Sequence, residues 1–387
     1  MNVKEIYFDN SATTAAYEEV GELVRKIMCE DYGNPSSKHI KGLISENYLK
    51  EAKAIFAKQL KVNEKEIIFT SGGTESDNMA IIGAARANKR RGKHLITTVV
   101  EHPAVYNSFS YLEDEGYEVT YLPVMHDGRI RIQDLKNALR EDTILVSLMH
   151  VNNEIGTIMP VEEAGEAIKT YDKRILFHID GIQAYGKLPI NLKNLKSDLY
   201  SISGHKFHGP KGVGLLYIKD GTKINPIIFG GGQQKDMRSG TENVPGIAGM
   251  ALASKHIYSN LKDNISHISR LRDEMINGLS DIDNIKIHGG DRDISLPNIL
   301  SIGFAGIRGE VLLHALEEKG IFVSSGSACS SNHPAISGVL KAIGSEDKYL
   351  DSTIRFSFCE TNTDDEVRYT IEIIRNLVPV LRRYTRC

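Results

Sequence analysis

Short apolar runs alternate along the chain with longer segments in which apolar side chains recur every three or four positions. The runs at residues 66–70, 94–98, 118–123, 144–150, 174–179, 198–202 and 214–218 read as buried strands. Segments 76–91 and 103–115 read as amphipathic helices between them. This alternation predicts an α/β fold with a mostly parallel seven-stranded sheet and right-handed crossovers. Ligands of such sheets sit at the carboxyl ends of the strands. The chain places its notable polar residues there: the run 71–75, Glu101 and His102, Asn152 and Asn153, Asp180, and Lys206.

Residues 244–279 read as helix broken at most once, a path out of the first domain. Beyond it, strands at 298–303, 321–324 and 353–358 and helices at 309–319 and 363–383 predict a smaller α+β unit. The expected division is a large domain at 16–260 and a small domain formed by 1–15 with 261–387. The latter carries a mobile cysteine-bearing loop at about 324–334.

The 387 residues are 41% hydrophobic and 25% charged, the make-up of an ordinary soluble protein. A formal charge of -3 supplies no basic face for nucleic acid or an acidic membrane. The local clusters Lys89-Arg90-Arg91 and Arg382-Arg383 read as solvated faces. No apolar run is long enough to span a bilayer, and the first residues lack the pattern of a signal peptide. The four cysteines, Cys29, Cys329, Cys359 and Cys387, include no C-x-x-C pair, so no metal site is expected. So few thiols fit a reducing, cytoplasmic setting.

One stretch carries the most chemistry. The apolar run 199–202 ends at Ser203-Gly204-His205-Lys206, placing a lysine on a strand-end turn. The preceding strand ends on Asp180. A lysine able to form a Schiff base and an acid able to hold a pyridinium nitrogen are the minimum apparatus of pyridoxal phosphate chemistry. Ser71-Gly72-Gly73-Thr74 joins a strand to a helix, either as an anion cradle at a helix N-terminus or as a capped turn. His102 can stack on a flat cofactor or serve as a structural histidine. Asp180 can face a ring nitrogen or cap a turn, and Gln183 stands one helical turn on. Arg355, on an apolar strand, needs either a substrate carboxylate or an internal acid. Asn153 offers an amide at a strand end. The glycine-rich segment 230–232 leads to Arg238-Ser239-Gly240-Thr241. The run Ser325-Gly326-Ser327-Ala328-Cys329 is small and polar, and reads as a loop with an exposed thiol.

Together these motifs resemble the cysteine desulfurases of the NifS/IscS type, within the fold-type I, class V aminotransferase group of pyridoxal phosphate enzymes. The resemblance runs from Tyr7-Phe8-Asp9-Asn10-Ser11-Ala12-Thr13-Thr14 to the helix around Arg375. It implies that Lys206 carries the cofactor, that Gly73, Thr74, Ser203 and His205 hold its phosphate, and that Thr241 reaches that phosphate from the partner subunit of a homodimer. It implies further that His102 stacks on the ring as an acid–base group, that Asp180 binds the ring nitrogen and Gln183 the phenolic oxygen. Arg355 with Asn153 would hold the carboxylate of L-cysteine, and Cys329 would take its sulfur as a persulfide. The implied acceptor is an iron–sulfur scaffold protein or a tRNA-thiolation enzyme. A selenocysteine lyase, another class V aminotransferase-type enzyme and a non-catalytic sulfur-transfer platform are the rival readings. A class V aminotransferase has no need of Cys329. The filled catalytic positions argue against the platform.

Overall fold

The computed structural model describes residues 5–325 and 336–384. Seven strands form one sheet in the order Ile67–Thr70, Gly214–Ile218, Leu199–Ser203, Leu176–Asp180, Thr143–Met149, His94–Thr98 and Glu118–Leu122. Only Gly214–Ile218 runs against the others. The predicted seven-stranded, mostly parallel α/β sheet is therefore present. Its central strands are buried along their whole length, which is why they read as largely apolar runs; the buried polar residues within them, Ser147, His178 and Ser201, hydrogen-bond to one another. The terminal strand Glu118–Leu122 is buried only at Leu122.

Successive side chains of a strand face opposite sides of the sheet, and two cores result. On one side Phe177, Ile179, Tyr200 and Ile202 pack with Phe56 of the helix Ile40–Leu60 and Met250 of the helix Val244–Ser259. On the other, Leu176, Leu199 and Leu216 meet Met79 of the helix Gly73–Asn88 and Phe109 of the helix Pro103–Asp114.

The predicted long helix is two helices, Val244–Ser259 and Leu261–Leu279, parted at Asn260. A second sheet follows in the order Ser324–Ser325, Thr353–Ser357, Ile299–Phe304 and Ile285–His288, all antiparallel. Leu271, Ile302, Phe356 and Ile374 belong to its core, with Ile6 and Phe8 from the start of the chain.

The predicted strand 321–324 is divided between two partners. Ile321–Phe322 pairs in parallel with Ile6–Tyr7, whereas Ser324–Ser325 pairs with Thr353–Ser357. Continuous apolar character gives no sign of a change of partner, so the sequence conceals this switch. Among the described residues no helix is long and apolar enough to cross a membrane.

The sheet's antiparallel strand bears directly on the glycine loop. A Cβ at Gly214 would lie 2.6 Å from the Ile202 carbonyl oxygen and 2.7 Å from Gly72 Cα, both backbone atoms. Gly214→Ala is expected to cost about 1–3 kcal/mol, read as a lower urea midpoint at unchanged m-value. An unaltered midpoint would show that the strand and the loop do not pack this closely.

Candidate active site

Ten of the predicted site residues line one cavity of about 320 Å³. Each arrives from a strand end or a turn beyond it. Gly73 and Thr74, Ser203 and His205 are among them, and Gly73 packs beside Ser203. Gly72, at φ 154°, takes a conformation that L side chains rarely adopt and admits the chain to the helix Gly73–Asn88. The N-terminal turn of that helix therefore offers backbone N–H groups and the positive end of its dipole. The His205 ring contacts Thr13 Oγ1 through Nδ1 at 3.2 Å. Burial, then the charges of Lys206, Lys211 and Lys187, push it down to about 4.

Lys206 closes a 3-10 turn, Gly204–Lys206, beyond the strand Leu199–Ser203. Its Nζ donates to the carbonyl oxygens of Ser11 (2.6 Å) and Ala12 (2.8 Å). The same N-terminal segment is held by Thr14, whose backbone N–H and hydroxyl both donate to the His205 carbonyl at 2.9 and 3.0 Å.

Asp180 is the last residue of its strand and is buried. Its Oδ1 accepts the Ile182 N–H at 3.0 Å. Burial raises its pKa, opposed by that bond and by Lys206. Two further buried carboxyls, Asp77 and Glu101, lie close enough to feel its charge. Burial is the larger cause for both; Glu101 is pushed up to about 8 and Asp77 well above its ordinary value. Beside Asp77, His178 is fully buried and contacts the hydroxyls of Ser147 (2.8 Å) and Ser201 (2.9 Å).

His102 caps the helix Pro103–Asp114: its Nδ1 accepts the Ala104 N–H at 3.1 Å. The neutral ring therefore carries its proton on Nε2. Burial, then the Lys206 charge, lowers its pKa to about 4.

Gln183 donates from Nε2 to the Ser11 carbonyl at 3.0 Å and accepts at Oε1 from Lys187 at 2.8 Å. Arg355 is buried, yet it lines the cavity. Its guanidinium donates to the Asn153 carbonyl at 2.8 Å and to Asp9 Oδ1 at 2.9 Å, while Nε has no partner among the described residues. The internal acid offered as an alternative for Arg355 therefore exists, and it is Asp9. Asn153 enters through its backbone as well as by lining the cavity. Its neighbour Asn152 is wholly structural, capping residues 154 and 155 and donating to the Val100 carbonyl.

Two of the predicted residues are not among those ten. Thr241 is exposed and does not line this cavity; its segment is tied to the glycine loop by the Arg238–Glu75 ion pair at 2.8 Å. Cys329 lies outside the described residues. Sequence reasoning passed over Asp9, Ser11 and Lys187. The first two belong to the quoted N-terminal motif, and Lys187 stands four positions after Gln183, the spacing of one helical turn.

The arrangement suits pyridoxal phosphate. Its lining combines anion donors at Gly73, Thr74 and Ser203 with Lys206 and buried Asp180, and Met149, Val151 and Ile182 supply apolar wall. Ser11 also lines the cavity, and its hydroxyl is buried without a partner among the described residues.

The sequence profile of the aminotransferase class-V family matches residues 6–369. The chain is 44% identical over 379 residues to "Cysteine desulfurase IscS" of Methanosarcina thermophila, covering 98% of this chain and 93% of that protein. Identity to the protein of the same name from Dictyoglomus turgidum is also 44% over 379 residues, with 98% and 96% covered. Among solved structures, a "NIFS-like protein" superposes with a TM-score of 0.92 at 40% identity, over 97% of this chain and all (100%) of that one. The structure titled "SspA in complex with cysteine" gives a TM-score of 0.80 at 33% identity, over 92% and 100%. Matches this long and this similar, in sequence and in backbone alike, place the chain in the aminotransferase class-V family, among its cysteine desulfurases.

Proposed function

We propose that the cavity binds pyridoxal phosphate through Lys206 and that the chain takes sulfur from L-cysteine, leaving L-alanine and a persulfide on Cys329. One observation carries this reading: ten residues separated by up to 282 positions in sequence, from Gly73 to Arg355, line a single cavity with the charge layout the cofactor needs. Bound there, pyridoxal phosphate would supply an electron-withdrawing ring that acidifies the Cα–H of an attached amino acid.

The chain's own residues do the rest. Gly73, Thr74, Ser203 and His205 receive the phosphate, a dianion suited to a helix N-terminus. His205 is neutral at pH 7 and adds a donor or acceptor without charge. Asp180 would hold the ring nitrogen; a cation there would pull its raised pKa back and keep it ionised. Gln183 Nε2 would donate its second N–H to the phenolic oxygen. Lys206 Nζ moves the proton between Cα and its neighbours, a role suited to an amine at a buried site. His102 would cover the ring as a neutral imidazole with Nε2–H available. Arg355 exchanges Asp9 for the substrate carboxylate, a bidentate partner of the same charge.

Cys329 Sγ, as thiolate, forms an S–S bond with the substrate sulfur as the S–Cβ bond breaks. The electron pair of that bond stays on Cβ, which takes a proton and becomes the methyl group of alanine. Thiol plus cysteine thus gives persulfide plus alanine with no outside oxidant. Thr241, exposed in this chain, reaches the phosphate of the other subunit in a homodimer. The persulfide then passes to a protein acceptor, such as an iron–sulfur scaffold protein or a tRNA-thiolation enzyme.

Cys329→Ser is expected to lower alanine release from L-cysteine by on the order of a thousandfold or more, with the cofactor's visible absorbance intact. Alanine release at the parent rate would remove Cys329 from the reaction. A second expectation concerns His102 in the cofactor-free protein. Its folded pKa, about 4, lies below the ordinary 6.5, so the unfolded chain binds the proton first. Stability attributable to this group falls as pH drops from about 6.5 to about 4. Ring resonances of His102 should stay those of the neutral Nε2–H tautomer until about pH 4; a midpoint near 6.5 would contradict the burial.

A further inference from the structure

Lys187 is buried to 7% exposure and is used by none of the steps above. It lies on the turn after Asp180, just past Gly186, whose φ of 77° and contact with Phe207 fix the path of the backbone. Its one side-chain hydrogen bond among the described residues is Nζ to Gln183 Oε1, at 2.8 Å. No carboxylate among them forms an ion pair with it. A buried ammonium without a carboxylate is expensive, so a lysine here calls for a reason other than stability.

Gln183 supplies that reason. A side-chain amide can present either its oxygen or its nitrogen to a ligand, and the two orientations differ little in shape. Here both neighbours are one-sided. A lysine ammonium has three donors and no acceptor, the neutral amine formed above the lowered pKa of Lys187 still has two N–H donors, and the Ser11 carbonyl is an acceptor only. Oε1 therefore turns to Lys187, and Nε2 to Ser11 at 3.0 Å. One N–H of Nε2 is taken by Ser11, and the second is left for the cavity that Gln183 lines. The opposite orientation would lose both bonds and set like atoms against each other. It would also turn a carbonyl oxygen toward an anionic phenolic oxygen.

We propose that Lys187 is a positioning residue that locks the Gln183 amide with its nitrogen toward the cofactor, so that Gln183 can only donate to the ring's phenolic oxygen. This rests on the reading of the cavity as a pyridoxal phosphate site. The charged groups around Lys187 come from several elements: Lys206 from the strand-end turn, Arg355 from the strand Thr353–Ser357, and Glu360 and the Cys359 thiol from the turn after it. Burial, then the two cations, lower its pKa to about 7, against the pull of Cys359 and Glu360.

The test is a double-substitution cycle read by the pH titration of the bound cofactor's visible band in the resting holoenzyme. Donation to the phenolic oxygen favours the deprotonated form, so losing it raises the midpoint. Lys187→Met is expected to raise it by roughly half to one unit. In a Gln183→Leu background the same substitution should give less than half that shift, because the amide it orients is gone. A shift of full size in that background, or none in the parent, overturns the proposal. A second readout needs no cofactor. In the apo protein, solvent exchange of the Gln183 side-chain N–H groups should quicken about tenfold or more in Lys187→Met; unchanged exchange also overturns it. If the parent chain shows no visible band at all, the cavity reading fails, while the exchange measurement still decides the lock. Lys187→Leu replaces the methionine variant should thermal unfolding show that the latter does not fold.

Discussion

The active site depends on the hydrogen bonds that pin residues 9–14 against the turn bearing Lys206. Thr14 grips the His205 carbonyl twice and accepts the His208 N–H at 2.7 Å. Lys206 and Gln183 both donate to the Ser11 carbonyl. On the far side Asn10 donates to the Ser357 carbonyl at 2.9 Å, and Asp9 holds Arg355. A single short segment thus closes the cavity between the parallel sheet and the second, antiparallel sheet. Remove it and the lysine loses its acceptors, the amide its orientation and the arginine its counter-ion together.

The electrostatics of the cavity follow from burial around that closure. Lys206, Lys187 and Arg355 crowd a poorly solvated space, so neighbouring histidines His102 and His205 are held neutral. The carboxyls respond in the opposite sense: Asp77 and Glu101 are driven toward their protonated forms, partly by the charge of Asp180. Keeping the neighbours neutral leaves Asp180 as the acid best placed to carry a negative charge toward a ring nitrogen. The same scarcity of water strengthens every donor aimed at an anionic ligand.

Much of this was legible in the chain. Fully buried parallel strands are mostly apolar, so Leu199–Ser203 and Thr143–Met149 stood out, and the polar residues that follow them marked the cavity. Gly72-Gly73-Thr74 was readable as a helix entry because glycine there has a steric reason. The rest was hidden for physical reasons. Ile6–Tyr7 and Ser324–Ser325 are two residues long, too short to show a period. Ile285–His288 is mostly part-exposed and lacks an apolar run. Asp9 meets Arg355 across 346 positions, a pairing no local pattern announces. Lys187 read as one more charge, because only the fold shows that the turn after Asp180 buries it.

The central claim is that Lys206 bonds covalently to pyridoxal phosphate in this cavity. Borohydride reduction of the purified holoprotein, followed by proteolysis and mass spectrometry, tests it directly. The account predicts a reduced phosphopyridoxyl group on the peptide containing Lys206 and on no other, with the visible band lost as it forms. A modified peptide bearing Lys187 instead, or no modified peptide at all, would contradict it.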